Sequence, residues 1–127
     1  MRDEVTSHGA KFILVTLSNP VQVDPDPGAR QAFMTQIGAT NLFYPDLRLR
    51  ALADRERIPV LNVAPELQQY AEAHKVYLHG FAATKTFGHG HYNEQGHELV
   101  GRLLAEKVRA ETAPGGGAGP KAFGQVD

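Results

Sequence analysis

Three histidines, His89, His91 and His97, fall within nine residues of the stretch "GHGHYNEQGHELVGRLLAEKV", Gly88 to Val108. Neutral imidazole is the commonest metal ligand and also a base that works near neutral pH. His89 and His91 are two apart, so in an extended segment both rings leave on the same side, and His97 follows one turn into what reads as a helix. Three such rings could form an open catalytic zinc site. Against a metal, the His-Glu-x-x-His spacing of zinc proteases is absent and no group to orient the ligands is evident. A base is the competing reading. A histidine in a loop just ahead of a helix, at the carboxyl edge of a parallel sheet, is where open α/β folds place catalytic groups, and His91 fits that position. A third reading needs no chemistry: Asn93 caps the helix, Gly96 lets its first turn pass close to neighbouring backbone, His97 packs on the helix face, and His91 is a solvated loop histidine.

The elements that must hold this cluster alternate between strand and helix. "MRDEVTSHG" reads as the last turns of a helix ending at Gly9, an opening that suggests a domain whose beginning is missing. "KFILVTL" is a continuous apolar run with β-branched residues, the pattern of a parallel strand covered on both faces. "SNPVQVDPDPG" carries three prolines and two aspartates and reads as a polar loop over that strand's carboxyl end. A short helix is expected from Ala29 to Ile37, a break at "GATN", and a second helix in "YPDLRLRALADRER" with Pro45 in its first turn. "IPVLNV" is the second strand, "APELQQYAEAHK" the helix after it, and Val76 to Tyr92 a Gly- and His-rich loop. The last helix is capped by Asn93 and packs through Leu99, Val100, Leu103, Leu104 and Val108. Residues 112–127, "TAPGGGAGPKAFGQVD", are expected to form a disordered Gly/Pro-rich tail, leaving 1–111 as the domain.

The alternation is that of the α/β class. Two parallel strands cannot cover each other's edges, so the missing strands must lie upstream, come from another chain, or have escaped the count. Composition narrows the function classes. At 127 residues one modest core is expected, and 13 Lys+Arg against 14 Asp+Glu leave a formal charge of -1, which does not call for nucleic acid or an acidic membrane surface. Cysteine is absent, which excludes disulfides and thiol catalysis. The one apolar run near the N-terminus is too short for a signal-peptide core or a membrane span, and the compartment stays open.

"HYNEQGHELVGRLLAEKV" resembles the last block of the SGNH (GDSL-type) hydrolases, in which a catalytic histidine opens His-x-Asn-x-x-Gly-His ahead of a closing helix. "SHGAKFILVTLSNP" is similar to that family's helix end, penultimate strand and loop, and "RIPVLNVAPEL" to its last strand and helix, so the resemblance covers about residues 1 to 110. It implies the C-terminal part of a flavodoxin-like three-layer α/β/α fold with parallel strands. It also implies a serine esterase mechanism with an ester substrate (a carboxylic ester, acetylated sugar or lipid), His91 as the base, and no cofactor or metal. The family's serine lies in a Gly-Asp-Ser block and its oxyanion hole uses a Gly-x-Asn-Asp block; neither is present. The only serines are Ser7 and Ser18, "GATN" is not the second block, and Gly88 stands where the family has the aspartate that orients its histidine. The resemblance therefore implies partners: the missing N-terminal half, or further copies of the chain. A chain with a base and no nucleophile is expected to be inactive alone, and a non-catalytic SGNH-like binding or oligomeric module is the alternative.

Overall fold

The computed structural model describes residues 1–113. Helix α1 (Arg2–Ser7) leads to strand β1 (Leu14–Thr16), a 3₁₀ turn (Pro20–Val23), helices α2 (Pro27–Ile37) and α3 (Tyr44–Arg55), strand β2 (Val60–Asn62), and helix α4 (Ala64–His74). A loop containing a second 3₁₀ turn (Ala82–Thr84) then delivers the chain to the long helix α5 (Glu94–Thr112). The chain is thus a mixed α/β fold with a two-stranded parallel sheet, in register Leu14↔Val60, Val15↔Leu61 and Thr16↔Asn62. Among the described residues no helix is long and apolar enough to cross a membrane.

Local chemistry explains most boundaries. Asp26 caps α2 by accepting the Gly28 N–H at 2.8 Å, and Pro27 suits the first helical position, so α2 starts two residues earlier than Ala29. Gly38 ends it at φ 66°, a conformation cheap only without a β-carbon. The expected loop after β1 is partly helical, because Asn19 and Gln22 form a reciprocal capping box around Pro20. Its Val23 is almost fully buried and packs with Val63, Leu67, Ala71, Leu78, Tyr92 and Leu99 in the core cluster of the described residues. Thr112 still belongs to α5, its hydroxyl donating to the Val108 carbonyl at 2.8 Å, and the tail expected from 112 onward lies, from residue 114, outside the described residues.

One expectation fails instructively. The run 11–17 reads as a strand covered on both faces, yet only Leu14–Thr16 form β1, and all three stay partly exposed. The cause is the sheet's size. Leu14 N–H bonds the Pro59 carbonyl and the Thr16 carbonyl accepts Val63 N–H, so Leu14 and Thr16 face β2, and Val15 between them turns its backbone groups to the open edge. No strand among the described residues meets that edge.

Candidate functional site

The loop between α4 and α5 is held at the carboxyl end of β1 by one tyrosine. Tyr92 OH accepts the Ser18 backbone N–H at 2.8 Å and lies 2.7 Å from Ser18 Oγ, 74 positions away in sequence. Its ring lies tilted by 36° against His79 with centroids 4.2 Å apart, and the two residues form an antiparallel backbone bridge. His79 Nδ1 lies 2.9 Å from the Gly90 carbonyl and its Nε2 3.2 Å from Ser18 Oγ. A carbonyl can only accept, so Nδ1 carries the proton and Nε2 accepts from Ser18 Oγ–H, which obliges Tyr92 O–H to donate to Ser18. Every proton in the cluster then has one place. Ser18, His79 and Tyr92 are all buried. Burial lowers the His79 pKa below its ordinary 6.5, the imidazoles of His91 and His97 push it the same way, and the Gly90 hydrogen bond opposes them.

Backbone contacts fix the rest of the motif. Gly80 N–H donates to the His91 carbonyl at 2.9 Å, and Asn93 N–H to the Leu78 carbonyl at 3.0 Å. Asn93 caps α5 by accepting Gly96 N–H at 3.0 Å, and its Nδ2 reaches the Tyr77 carbonyl at 2.7 Å. Position 96 must be glycine on steric grounds: a β-carbon there would stand 2.3 Å from the Leu78 carbonyl oxygen and 2.8 Å from the Tyr92 ring. His97 is committed locally, with Nδ1 3.0 Å from the Asn93 carbonyl and its ring edge-on to Tyr92. His89 and His91 are exposed. The His91 imidazole takes part in none of the loop's hydrogen bonds, although its backbone is clamped on either side. Among the described residues no three His, Asp or Glu side chains converge so as to hold a metal ion.

Gly88, at the position of the family's aspartate, has φ 77°, where an aspartate would be strained; a β-carbon there would touch the Tyr77 ring at 3.1 Å. That same β-carbon would lie 3.9 Å from Asp24 Oδ2, so a carboxylate from the loop after β1 stands against this point of the chain. Asp24 Oδ1 is occupied by the Asp26 N–H at 2.8 Å. Asp26 is spent on its helix cap, and Glu94 lies exposed in the first turn of α5.

Leu17 and Asn19, the neighbours of Ser18, line a different feature: a cleft of about 660 Å³ walled by Phe33, Ile37, Tyr44 and Leu49. Its floor carries the buried Asp46, whose carboxylate accepts Thr16 Oγ1–H and Gln22 Nε2–H, both at 2.8 Å. Each Asp46 carboxylate oxygen thus has a hydrogen-bond partner, and the rest of the cleft wall is mainly apolar.

The sequence reading singled out His91 and passed over His79 and the burial of Ser18. The cluster joins positions 61 and 74 residues apart, and only the signal of a histidine flanked by Leu78 and Gly80 marks it in the sequence. Ser18 and His79 have the spacing of a nucleophile and its base, but both are buried and the serine oxygen also takes the Tyr92 proton. Comparison with protein-family models, curated proteins and solved structures finds no match to the chain.

Proposed function

We propose that the chain is the histidine-bearing C-terminal part of an SGNH-type serine hydrolase, with a flavodoxin-like three-layer arrangement completed by strands outside the described residues. His91 acts as the general base on a carboxylic ester, an acetylated sugar or a lipid, and the nucleophilic serine comes from a Gly-Asp-Ser segment of another stretch of protein. The observation that carries this reading is the state of His91: its backbone is fixed at the carboxyl end of a parallel sheet while its imidazole is exposed and has no hydrogen-bond partner among the described residues. Each other position of the motif has a mechanical reason that serves this placement, Asn93 as cap and Gly96 as the point of close approach. Asp24 is the residue to which the acid's role falls, since its carboxylate faces the position where the family's aspartate would branch.

The step assigned to His91 is to accept the serine proton as the hydroxyl attacks the ester carbonyl, and then to return it to the departing alcohol. Water repeats the sequence on the acyl-enzyme. Expression of the chain from its own DNA together with the flanking sequence on both sides, assayed on p-nitrophenyl acetate, tests the proposal. Hydrolysis should fall at least about 100-fold in His91→Ala with the circular dichroism unchanged. Retained turnover in that variant would overturn the assignment.

A second reading, a non-catalytic SGNH-like module that assembles with other copies or chains, is favoured by one specific observation. The edge of β1 has no neighbouring strand among the described residues, and in the apolar cleft that begins at the end of β1 Leu17 is 60% and Ile37 55% exposed. A stable oligomer in sedimentation together with no esterase activity under the flanked expression would move the assignment to this reading.

A further inference from the structure

We propose that Tyr92, Ser18 and His79 are positioning residues for His91, acting through a run of hydrogen bonds in which every proton has an acceptor only while His79 is neutral. The inference rests on the reading of His91 as the base. The run is Tyr92 O–H to Ser18 Oγ, Ser18 O–H to His79 Nε2, and His79 Nδ1–H to the Gly90 carbonyl, with Ser18 N–H closing back on the Tyr92 oxygen. It spans the two sides of the position it controls. Gly90 precedes His91 and Tyr92 follows it, so both neighbours of the base are tied to Ser18 at the end of β1, Gly90 by its carbonyl through His79 and Tyr92 by its hydroxyl.

No second arrangement of the protons serves as well. A proton added at Nε2 sets two donors against each other at 3.2 Å, Ser18 Oγ–H and the imidazolium. Ser18 can relieve the clash only by turning its own proton toward Tyr92, whose O–H then has no acceptor in the cluster. Both Ser18–Tyr92 hydrogen bonds survive that reversal, but the buried Tyr92 O–H proton is left without a partner, a cost that loosens the seat of Tyr92 at the end of β1. The titratable groups acting on His79 are His91 from the same loop, His97 from α5 and Tyr92 itself, and Asp24 comes in from the loop after β1 against Gly88. His91 and His97, once charged, add to the cost of charging His79. Release of the Tyr92 contact frees the loop on the side of β1 while leaving the sheet intact, because β1 and β2 are joined by their own backbone bonds.

The test is amide hydrogen exchange by NMR on the whole chain at about pH 7.5 and about pH 4.5, expressed as protection factors. Three amides report: Ser18, bonded to Tyr92 OH; Gly80, bonded to the His91 carbonyl; and Val63, bonded across the sheet as the reference. In the native sequence Ser18 and Gly80 should lose about tenfold in protection at the lower pH relative to Val63. His79→Gln keeps a donor toward Gly90 and an acceptor toward Ser18 without a titratable ring, and should hold its protection at both pH values. Tyr92→Phe keeps the ring and should show low protection at Ser18 and Gly80 at both, with Val63 unchanged. An acid response in His79→Gln equal to the native one, retained Gly80 protection in Tyr92→Phe, or an equal loss at Val63 would each overturn the proposal. None of these readouts involves turnover, so the positioning role and the His91 assignment can fail separately.

Discussion

Ser18 faces the loop that carries His91, while its neighbours Leu17 and Asn19 face the cleft, and these two regions around the end of β1 are finished to different degrees. On the loop side every polar group of the Ser18, His79 and Tyr92 cluster has a partner, and the glycines at 80 and 96 fit with no space for a β-carbon. In the cleft the buried Asp46 has hydrogen-bond partners, but Leu17, Ile37 and Tyr44 are half exposed, and the β1 edge has no neighbour among the described residues. The difference teaches that the chain fully specifies the placement of its histidine and only half specifies its sheet. If His91 is the base proposed above, its fixed backbone at the end of a sheet with an open edge suits a catalytic part that works with another segment.

The contrast can be broken most strongly at Gly96. Gly96→Ala forces a β-carbon against backbone and the Tyr92 ring and should cost about 3 kcal/mol in urea unfolding. Gly101→Ala, where nothing lies within 4 Å, should instead stabilise α5 by up to about 1 kcal/mol. Equal effects at the two glycines would mean that the loop side is not tightly built. Asp46→Ala comes next. It leaves the Thr16 and Gln22 donors facing an empty acceptor position and should cost about 2 kcal/mol by the same measurement.

A smaller effect is expected from pH. The folded-state pKa of His79 lies below its unfolded value near 6.5, so between the two the unfolded chain binds more protons and stability rises with pH. The contribution is fully present above the unfolded value and is lost as pH falls below it. Urea midpoints measured across that range should decline toward acid in the native sequence and decline less in His79→Gln. Leu17→Ser should do least, shifting stability by no more than about 0.5 kcal/mol because its side chain is already in water, while reducing any self-association seen by sedimentation. A large destabilisation there would mean that the cleft side is closed in solution.

The sequence made the helices, the two strands and their order legible because each rests on local chemistry: apolar runs for the strands, Asn93 and Gly38 at helix ends, Pro45 in a first turn. It also marked His91, through the regular spacing of Asn93 and Gly96 behind it. The 3₁₀ turn after β1 was hidden by its prolines and aspartates, which read as loop although Asn19 and Gln22 cap each other. His79 was illegible for a different reason. Its role depends on Ser18 and Tyr92, which the fold brings together from distant positions, and no periodicity carries that information. Burial of β1 was overestimated because an apolar run reports the surroundings a strand is suited to, whereas the exposure of Leu14 to Thr16 reports the neighbours present.

Under the proposed function His91 is the chemical histidine and Ser18 a structural serine, its hydroxyl occupied between Tyr92 and His79. Treating the folded chain with a fluorophosphonate probe at neutral pH, and mapping any adduct by mass spectrometry, tests this most directly. The predicted result is no adduct on Ser18 in the chain alone, and an adduct on a Gly-Asp-Ser serine when the flanking sequence is expressed with it. Stoichiometric modification of Ser18 would contradict the account, making Ser18 and His79 a working nucleophile and base and leaving His91 without a catalytic role.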